Sequence, residues 1–265
     1  MTRNDRTEDF YWHQYKLFFQ KFYSAREDCL RIGSLCLPRL SVSGQTTREE
    51  AYYAMEIGDI LLPGIHGRLW YVDEGPYEWG DVRVSPGDVV FDCGAHMGVF
   101  SLLAAYRGAR VFAFEPIAEA RVMFAQTLDL NPVLRERITV VPMALGAKEG
   151  TAEFTVLADT LIGSSMVLPH QGRKVQVQVT TVDAFVGAEE LSRVDFLKAD
   201  IEGAERQMLK GAKETLQQCV PKVAICTYHL PDDAMIIAGL LREANPQYVL
   251  TERWKKMYGR VPAGR

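Results

Sequence analysis

The chain has 265 residues, a formal net charge of −4 and 24% charged residues of both signs; this is enough for one sizeable α/β core, without the clustered Lys and Arg that a phosphate backbone requires, which argues against a nucleic-acid partner. Five cysteines, Cys29, Cys36, Cys93, Cys219 and Cys226, form no CxxC pair, which argues against a zinc or disulfide framework and fits free thiols in a reducing compartment. The opening residues are too polar for a signal peptide and no apolar run approaches the ~20 residues needed to cross a bilayer, so the expectation is a soluble cytoplasmic protein with no membrane partner.

From Phe10 to Tyr23, aromatic residues recur at Tyr11, Tyr15, Phe18, Phe19 and Phe22, a spacing that predicts an amphipathic helix. Its apolar stripe would pack on the domain, on a second subunit in a homodimer, or over a substrate pocket as a lid. Between Ile60 and Val84, apolar stretches broken by Pro63, Gly64, Gly67, Gly75 and Pro76 predict small strands and turns. Residues 1–84 are thus read as an N-terminal extension and 85–265 as the catalytic domain.

Val89 to Phe91 predicts a buried strand, Asp92 to Gly98 a glycine-bearing turn, and Val99 to Tyr106 a helix. A second strand is expected at Arg110 to Phe114, a helix from Ile117 to Leu130 ended by Asn131-Pro132, and a third strand at Ile138 to Val141. Thr151 to Val156 and Lys174 to Val179 alternate as an antiparallel hairpin. A fourth strand (Val194 to Ala199), a helix (Ala204 to Gln217), a fifth strand (Lys222 to Thr227), a helix from Pro231 to Glu243 and closing strands at Tyr248 to Glu252 and Met257 to Val261 complete the chain. The alternation predicts a mostly parallel α/β sheet of seven strands with helices on both faces.

Ligands of such sheets bind beyond the carboxyl ends of the strands. After the first strand stands Asp92-Cys93-Gly94-Ala95-His96-Met97-Gly98, a D-x-G-x-x-x-G turn. A dinucleotide site would want glycine where Asp92 stands, because pyrophosphate needs bare amides and no carboxylate. S-adenosylmethionine carries an ammonium and a sulfonium but no phosphate, so the acid favours it over NAD. Glu115 closes the second strand where it can accept both ribose hydroxyls, and Met143 and Ala144 offer apolar surface for an adenine ring.

These residues, with Phe114-Glu115-Pro116, Ala144-Leu145-Gly146 and the run from Leu197 to Glu205 (Leu-Lys-Ala-Asp-Ile-Glu-Gly-Ala-Glu), resemble the FkbM family of S-adenosylmethionine-dependent methyltransferases. The resemblance implies a Rossmann-like class I methyltransferase fold. It also implies that Asp92, Gly94, Ala95 and Gly98 hold the methionine part of the cofactor, Glu115 the ribose and Met143 with Ala144 the adenine, while Asp200 faces the transferred methyl. His96 departs from the family's usual Asn, and an imidazole there can still hydrogen-bond the cofactor.

Asp200 and Glu202 straddle the end of the fourth strand and His229 follows the fifth, so the three can converge as catalytic residues. His229 or Asp200 is expected to act as general base toward a substrate hydroxyl, with the other carboxylate positioning it. The same three side chains could bind Mg²⁺ or Mn²⁺, but sequence proximity does not favour a metal reading. Tyr77-Glu78, just ahead of the first strand, is expected either to fold over the cofactor, with Glu78 binding it, or to serve as an ordinary loop anchor, and Ser165 to lie near the cofactor in the inserted hairpin loop. Ser164 and Ser165 lack the glycine at Val167 that a hydrolase elbow needs. The acceptor is expected to be a small molecule or sugar; a nicotinamide oxidoreductase and a noncatalytic adenosyl-binding module are the competing readings.

Overall fold

The structure, a computed structural model, describes residues 17–39, 48–67, 74–156 and 172–262. Residues 17–22 are helical and lead into a small antiparallel sheet of Tyr23–Ser24 (β1), Cys29–Ile32 (β2) and Leu35–Pro38 (β3). Phe18 is buried in the main core and Phe19 stacks on Tyr23. Tyr11 and Tyr15, the other members of the aromatic stripe, lie outside the described residues. Asn131 fastens the hairpin to the body of the protein, since its side chain donates to Cys36 O at 2.6 Å and accepts from Cys36 N at 3.1 Å.

The segment beginning at Ile60 corrects the expectation of short strands, because residues 60–66 are the end of a helix, Arg48–His66 (α1). Tyr53, Ile57, Ile60 and Leu61 recur at helical spacing and are all buried, and this stripe outweighs the breakers. Pro63 falls near the C-terminal end of α1, and Gly64 lets the helix approach Leu103 so closely that a Cβ would come within 2.6 Å of it. Arg107 then donates to the Gly64 carbonyl at 2.8 Å, satisfying one of the acceptors that helix ends leave open.

The main body follows the predicted alternation. Val89–Cys93 (β4), Val99–Tyr106 (α2), Arg110–Phe114 (β5), Ala118–Asp129 (α3), Pro132–Arg135 (α4) and Ile138–Val141 (β6) come first. Ala144–Leu145 (β7), Gly150–Val156 (β8) and Arg173–Thr180 (β9) form a separate small sheet, in which β8 and β9 pair antiparallel as the alternation anticipated. Val182–Ala188 (α5), Phe196–Ala199 (β10), Glu205–Lys210 (α6), Lys213–Gln218 (α7), Lys222–Cys226 (β11), Asp233–Ala244 (α8), Val249–Arg253 (β12) and Lys256–Arg260 (β13) complete the order. The helix expected from Ala204 to Gln217 is split in two at Gly211, where backbones approach too closely for any side chain: a Cβ there would lie 2.2 Å from Gly146 O.

The seven-stranded sheet runs β12-β13-β11-β10-β4-β5-β6, parallel from β11 to β6, with β13 and β12 added antiparallel. Alternation along each strand sends Val90, Val111, Ala113 and Phe196 to the face covered by α1 and α2. Phe91, Phe112, Phe114 and Leu197 go to the face covered by α5 to α8. The chain leaves β4 toward β5 and β6 and later returns on its other side to β10, so the crevice at which strand order reverses opens at the ends of β4 and β10.

Candidate active site

The turn after β4 is built around three left-handed residues, Gly94 (φ 79°), His96 (φ 51°) and Gly98 (φ 81°). Glycine is required at both ends by packing as well as by dihedral. A Cβ on Gly94 would lie 1.9 Å from Asp200 O, and one on Gly98 would lie 2.0 Å from the Phe124 ring. Asn and His are among the few non-glycine residues that tolerate the left-handed region, which accounts for either residue at position 96. The amides of Gly94 and Ala95 both donate to Phe114 O at 3.0 Å, and that of His96 donates to Glu115 Oε2 at 2.9 Å.

Asp92 lies beneath the turn. Its side chain is fully buried, accepts from Ser101 Oγ at 2.6 Å and pairs with Lys198 Nζ at 3.0 Å. Lys198 also donates to Gly94 O at 2.6 Å. β4 points this side chain into the face covered by α2, where it and Lys198 brace the turn from below. The pairing follows from register, since Asp92 and Lys198 are opposed in parallel strands.

Glu115 lies at the end of β5 and is 6% exposed. Each of its oxygens accepts one backbone amide, from His96 and from Ile117 at 2.8 Å, which leaves each oxygen a further lone pair for a ligand hydroxyl. Burial raises its proton affinity against the pull of those hydrogen bonds. His96 Nδ1 lies 3.4 Å from Glu56, while the buried Nε2 makes no hydrogen bond among the described residues. Met143 is partly buried beyond β6 and Ala144 is buried in β7, so the apolar pair sits beyond the next strand end. Ser165 lies outside the described residues.

Asp200, Glu202 and His229 do converge. His229 Nε2 is 3.5 Å from Asp200 Oδ1 and 3.4 Å from Glu202 Oε2, and Nδ1 is 3.0 Å from Glu205 Oε1. Glu202 holds a left-handed backbone (φ 54°), the kind of local strain that persists where the surroundings over-determine it. Burial works against a charged imidazole, but the Glu205, Asp200 and Glu202 carboxylates outweigh it and push His229 up to about 9. That shift favours the protonated ring, which meets the surrounding carboxylates as a cation. Burial also opposes the Asp200 charge, yet Lys198, His229 and Lys256 hold that carboxyl below its usual value. Burial and the nearby Asp200 push Glu202 up to about 7.

Glu78 anchors its loop, where it accepts from Val84 N at 2.8 Å and pairs with Arg107 at 3.3 Å. Its neighbour Tyr77 occupies the site instead. The Tyr77 hydroxyl donates to Asp200 Oδ2 at 2.5 Å, and its ring has Lys256 Nζ at 4.5 Å and Lys198 Nζ at 5.0 Å from its centroid. At the rim, Tyr228 donates to Glu74 Oε2 at 3.0 Å, and Lys256 donates to Glu74 O at 2.7 Å. The sequence pairs Tyr77 with Glu78 ahead of the first strand and sets Lys198 and Glu205 in the run that resembles the family, but it singles out neither Glu74 nor Lys256. The signal for Lys198 was a charged residue inside the apolar strand Phe-Leu-Lys-Ala, two residues before Asp200 and hence on its face.

A family model described as the methyltransferase FkbM domain matches residues 92–248, more than half of the chain. Among curated proteins, the chain is 27% identical over 172 residues to methyltransferase sdnD of Sordaria araneosa, covering 52% of this chain and 66% of the relative. It is 26% identical over 213 residues to the 31-O-demethyl-FK506 methyltransferase FkbM of Streptomyces tacrolimicus, covering 64% and 80%. It is 24% identical over 165 residues to the hexuronic acid methyltransferase AglP of Haloferax volcanii, covering 62% and 66%. A crystal structure of methyltransferase FkbM from Methylobacillus flagellatus KT shares the fold with a TM-score of 0.52 at 24% identity, over 67% of this chain and 44% of that one. The glycine turn, the acid closing β5 and the Asp200 cluster all fall within the matched residues, and the chain belongs to the methyltransferase FkbM domain family.

Proposed function

We propose that the protein transfers a methyl group from S-adenosylmethionine to a hydroxyl oxygen of a small-molecule or sugar acceptor. The observation that carries the reading is the convergence of Asp200, Glu202 and His229 at the ends of β10 and β11, beside the glycine turn of a methyltransferase-family sheet. When bound, the cofactor supplies an electrophilic methyl on a sulfonium cation. The donor set suits such a cation: Glu115 keeps lone pairs for ribose hydroxyls, Met143 and Ala144 offer an apolar wall, and the carboxylates at the crevice disfavour a pyrophosphate.

Methyl transfer is an in-line displacement, so the protein must hold the acceptor oxygen roughly 3 Å from the methyl carbon and take up one proton. An acceptor hydroxyl held there would give up its proton to a carboxylate of the Asp200 and Glu202 pair as it receives the methyl group. Tyr77 and His229 fix those carboxylates in place, through a hydrogen bond on one side of Asp200 and ionic contacts on the other. Two relatives are named for a 31-O-demethyl compound and for a hexuronic acid, which supports oxygenated acceptors for this chain too.

The test is transfer of labelled methyl from S-adenosylmethionine to a panel of hydroxylated macrolides and sugars. Turnover that falls sharply in Asp200→Asn and Glu202→Gln, with cofactor affinity retained, supports the reading. Transfer to amines alone, or turnover unchanged in both variants, overturns the proposed oxygen chemistry or the proposed residues respectively.

A further inference from the structure

Among the described residues, four buried polar atoms at the ends of β10 and β11 make no hydrogen bond, Asp200 Oδ1, Glu205 Oε2 and both ring nitrogens of His229, although the ring stands within ion-pair distance of Asp200, Glu202 and Glu205. The His229 side chain is 3% exposed and that of Glu205 is fully buried. Buried polar groups are nearly always satisfied, and a cluster of orphans marks a place where a water or ion belongs. A carboxylate oxygen from each of Asp200 and Glu205 and a ring nitrogen of His229 lie within 4.8 Å of one another, and Glu202 Oε2 approaches Nε2 to 3.4 Å.

We propose that this cluster is a divalent-cation site, with His229 Nε2, Asp200 and Glu202 as ligands and Glu205 holding the ring through Nδ1. Ligand atoms about 2.1 Å from one ion stand roughly 3.0–3.4 Å apart at ordinary coordination angles. The separations of 3.5 Å and 3.4 Å from Nε2 to the Asp200 and Glu202 oxygens are close to that spacing. A metal-ligating histidine usually offers its other nitrogen to a carboxylate, which fixes the ring and its tautomer. Glu205 Oε1 stands 3.0 Å from Nδ1 in that position, itself fixed by the Ile201 amide at 2.8 Å.

The nearest buried cations are engaged elsewhere: Lys198 with Asp92 and the Gly94 carbonyl, Lys256 with the Glu74 carbonyl. One imidazole among carboxylates suits a hard or borderline ion such as Mn²⁺ or Mg²⁺. A second group, Glu27, Cys29 and Cys36, also lies within ligand distance, but its thiols favour softer metals and Glu27 is held by two hydrogen bonds from Arg31. The Asp200 and Glu202 side chains are 22% and 27% exposed, so remaining coordination positions would face the crevice. An acceptor hydroxyl bound there would be both oriented and acidified. This use of the ion rests on the methyltransferase reading; the site itself does not.

The test is calorimetric titration of the chelator-treated, dialysed full chain with MnCl2, run beside a separate titration with S-adenosylhomocysteine. The expected result is one equivalent of Mn²⁺ bound by the wild type, weakened about tenfold or more in His229→Gln and in Glu202→Gln and unaltered in Cys36→Ser. Glu202→Gln, at a partly exposed position, keeps the test valid if His229→Gln fails to fold. A wild type that binds no stoichiometric Mn²⁺, or binding that survives in Glu202→Gln or is lost in Cys36→Ser, overturns the site. Failure of S-adenosylhomocysteine to bind would instead count against the methyltransferase reading.

Discussion

Replacing Lys198 with Met should be among the most damaging single changes at the crevice. The ammonium is 3.0 Å from Asp92 Oδ1 and 2.6 Å from Gly94 O, with side-chain exposures of 5% for Lys198 and 0% for Asp92. Methionine fills much of the same space but leaves a buried carboxylate without a counter-charge and the turn carbonyl without a donor. Breaking a buried pair from one side costs about 3–5 kcal/mol, a large part of the roughly 5–15 kcal/mol that holds an ordinary domain together. Removing the charge from both sides should recover part of the loss, so Asp92→Asn with Lys198→Met should be less damaging than the sum of the single changes by about 1–3 kcal/mol. Urea denaturation of the four proteins gives the cycle directly. A Lys198→Met loss below about 1 kcal/mol, or strict additivity in the double variant, would refute a buried, mutually compensated pair.

Gly94→Ala should abolish S-adenosylhomocysteine binding and lower the melting temperature, because φ is 79° and the new methyl would lie 1.9 Å from a backbone oxygen that cannot yield; wild-type melting and binding in this variant would contradict the packing of β4 on β10. Tyr77→Phe keeps the ring between the two lysines but removes the 2.5 Å hydrogen bond to Asp200. A hydrogen bond to a charged group contributes about 1.5–3 kcal/mol, so kcat should drop at least about tenfold with KM for S-adenosylmethionine little changed; a rise in KM alone would move Tyr77 from carboxylate positioning to cofactor binding. Glu78→Gln should cost roughly 1 kcal/mol of stability through the lost Arg107 pair and leave S-adenosylhomocysteine affinity intact, whereas weakened affinity would restore the cofactor role expected from the sequence.

Much of the α/β body is legible in the sequence because its buried strands are short apolar runs separated by helix-period segments, and because turn residues mark their ends. The hairpin of β8 and β9 was equally plain from alternation. What escaped notice depends on contacts distant in sequence. Pro63 and Gly64 look like breakers until Leu103 and Arg107 are seen against them. Gly211 splits a helix because Gly146, far back in the chain, comes against it.

The same division holds at the crevice. Asp200, Glu202 and His229 could be picked out because strand ends are where such sheets bind ligands. The direction of Asp92 could not be judged without its partner: a carboxylate beside a glycine turn reads as a ligand contact until register with β10 puts Lys198 opposite it. Tyr77 and Glu78 are adjacent, and only the path of the chain before β4 decides which of them meets Asp200.

The most direct test of the cofactor assignment is calorimetric titration of the protein with S-adenosylhomocysteine, beside NAD, for the wild type and Glu115→Gln. The account predicts stoichiometric binding of the adenosyl ligand, weakened about tenfold or more in the variant as one charged acceptor for the ribose is lost, and no binding of NAD. Binding of NAD without the adenosyl ligand, or adenosyl binding indifferent to Glu115, would contradict it.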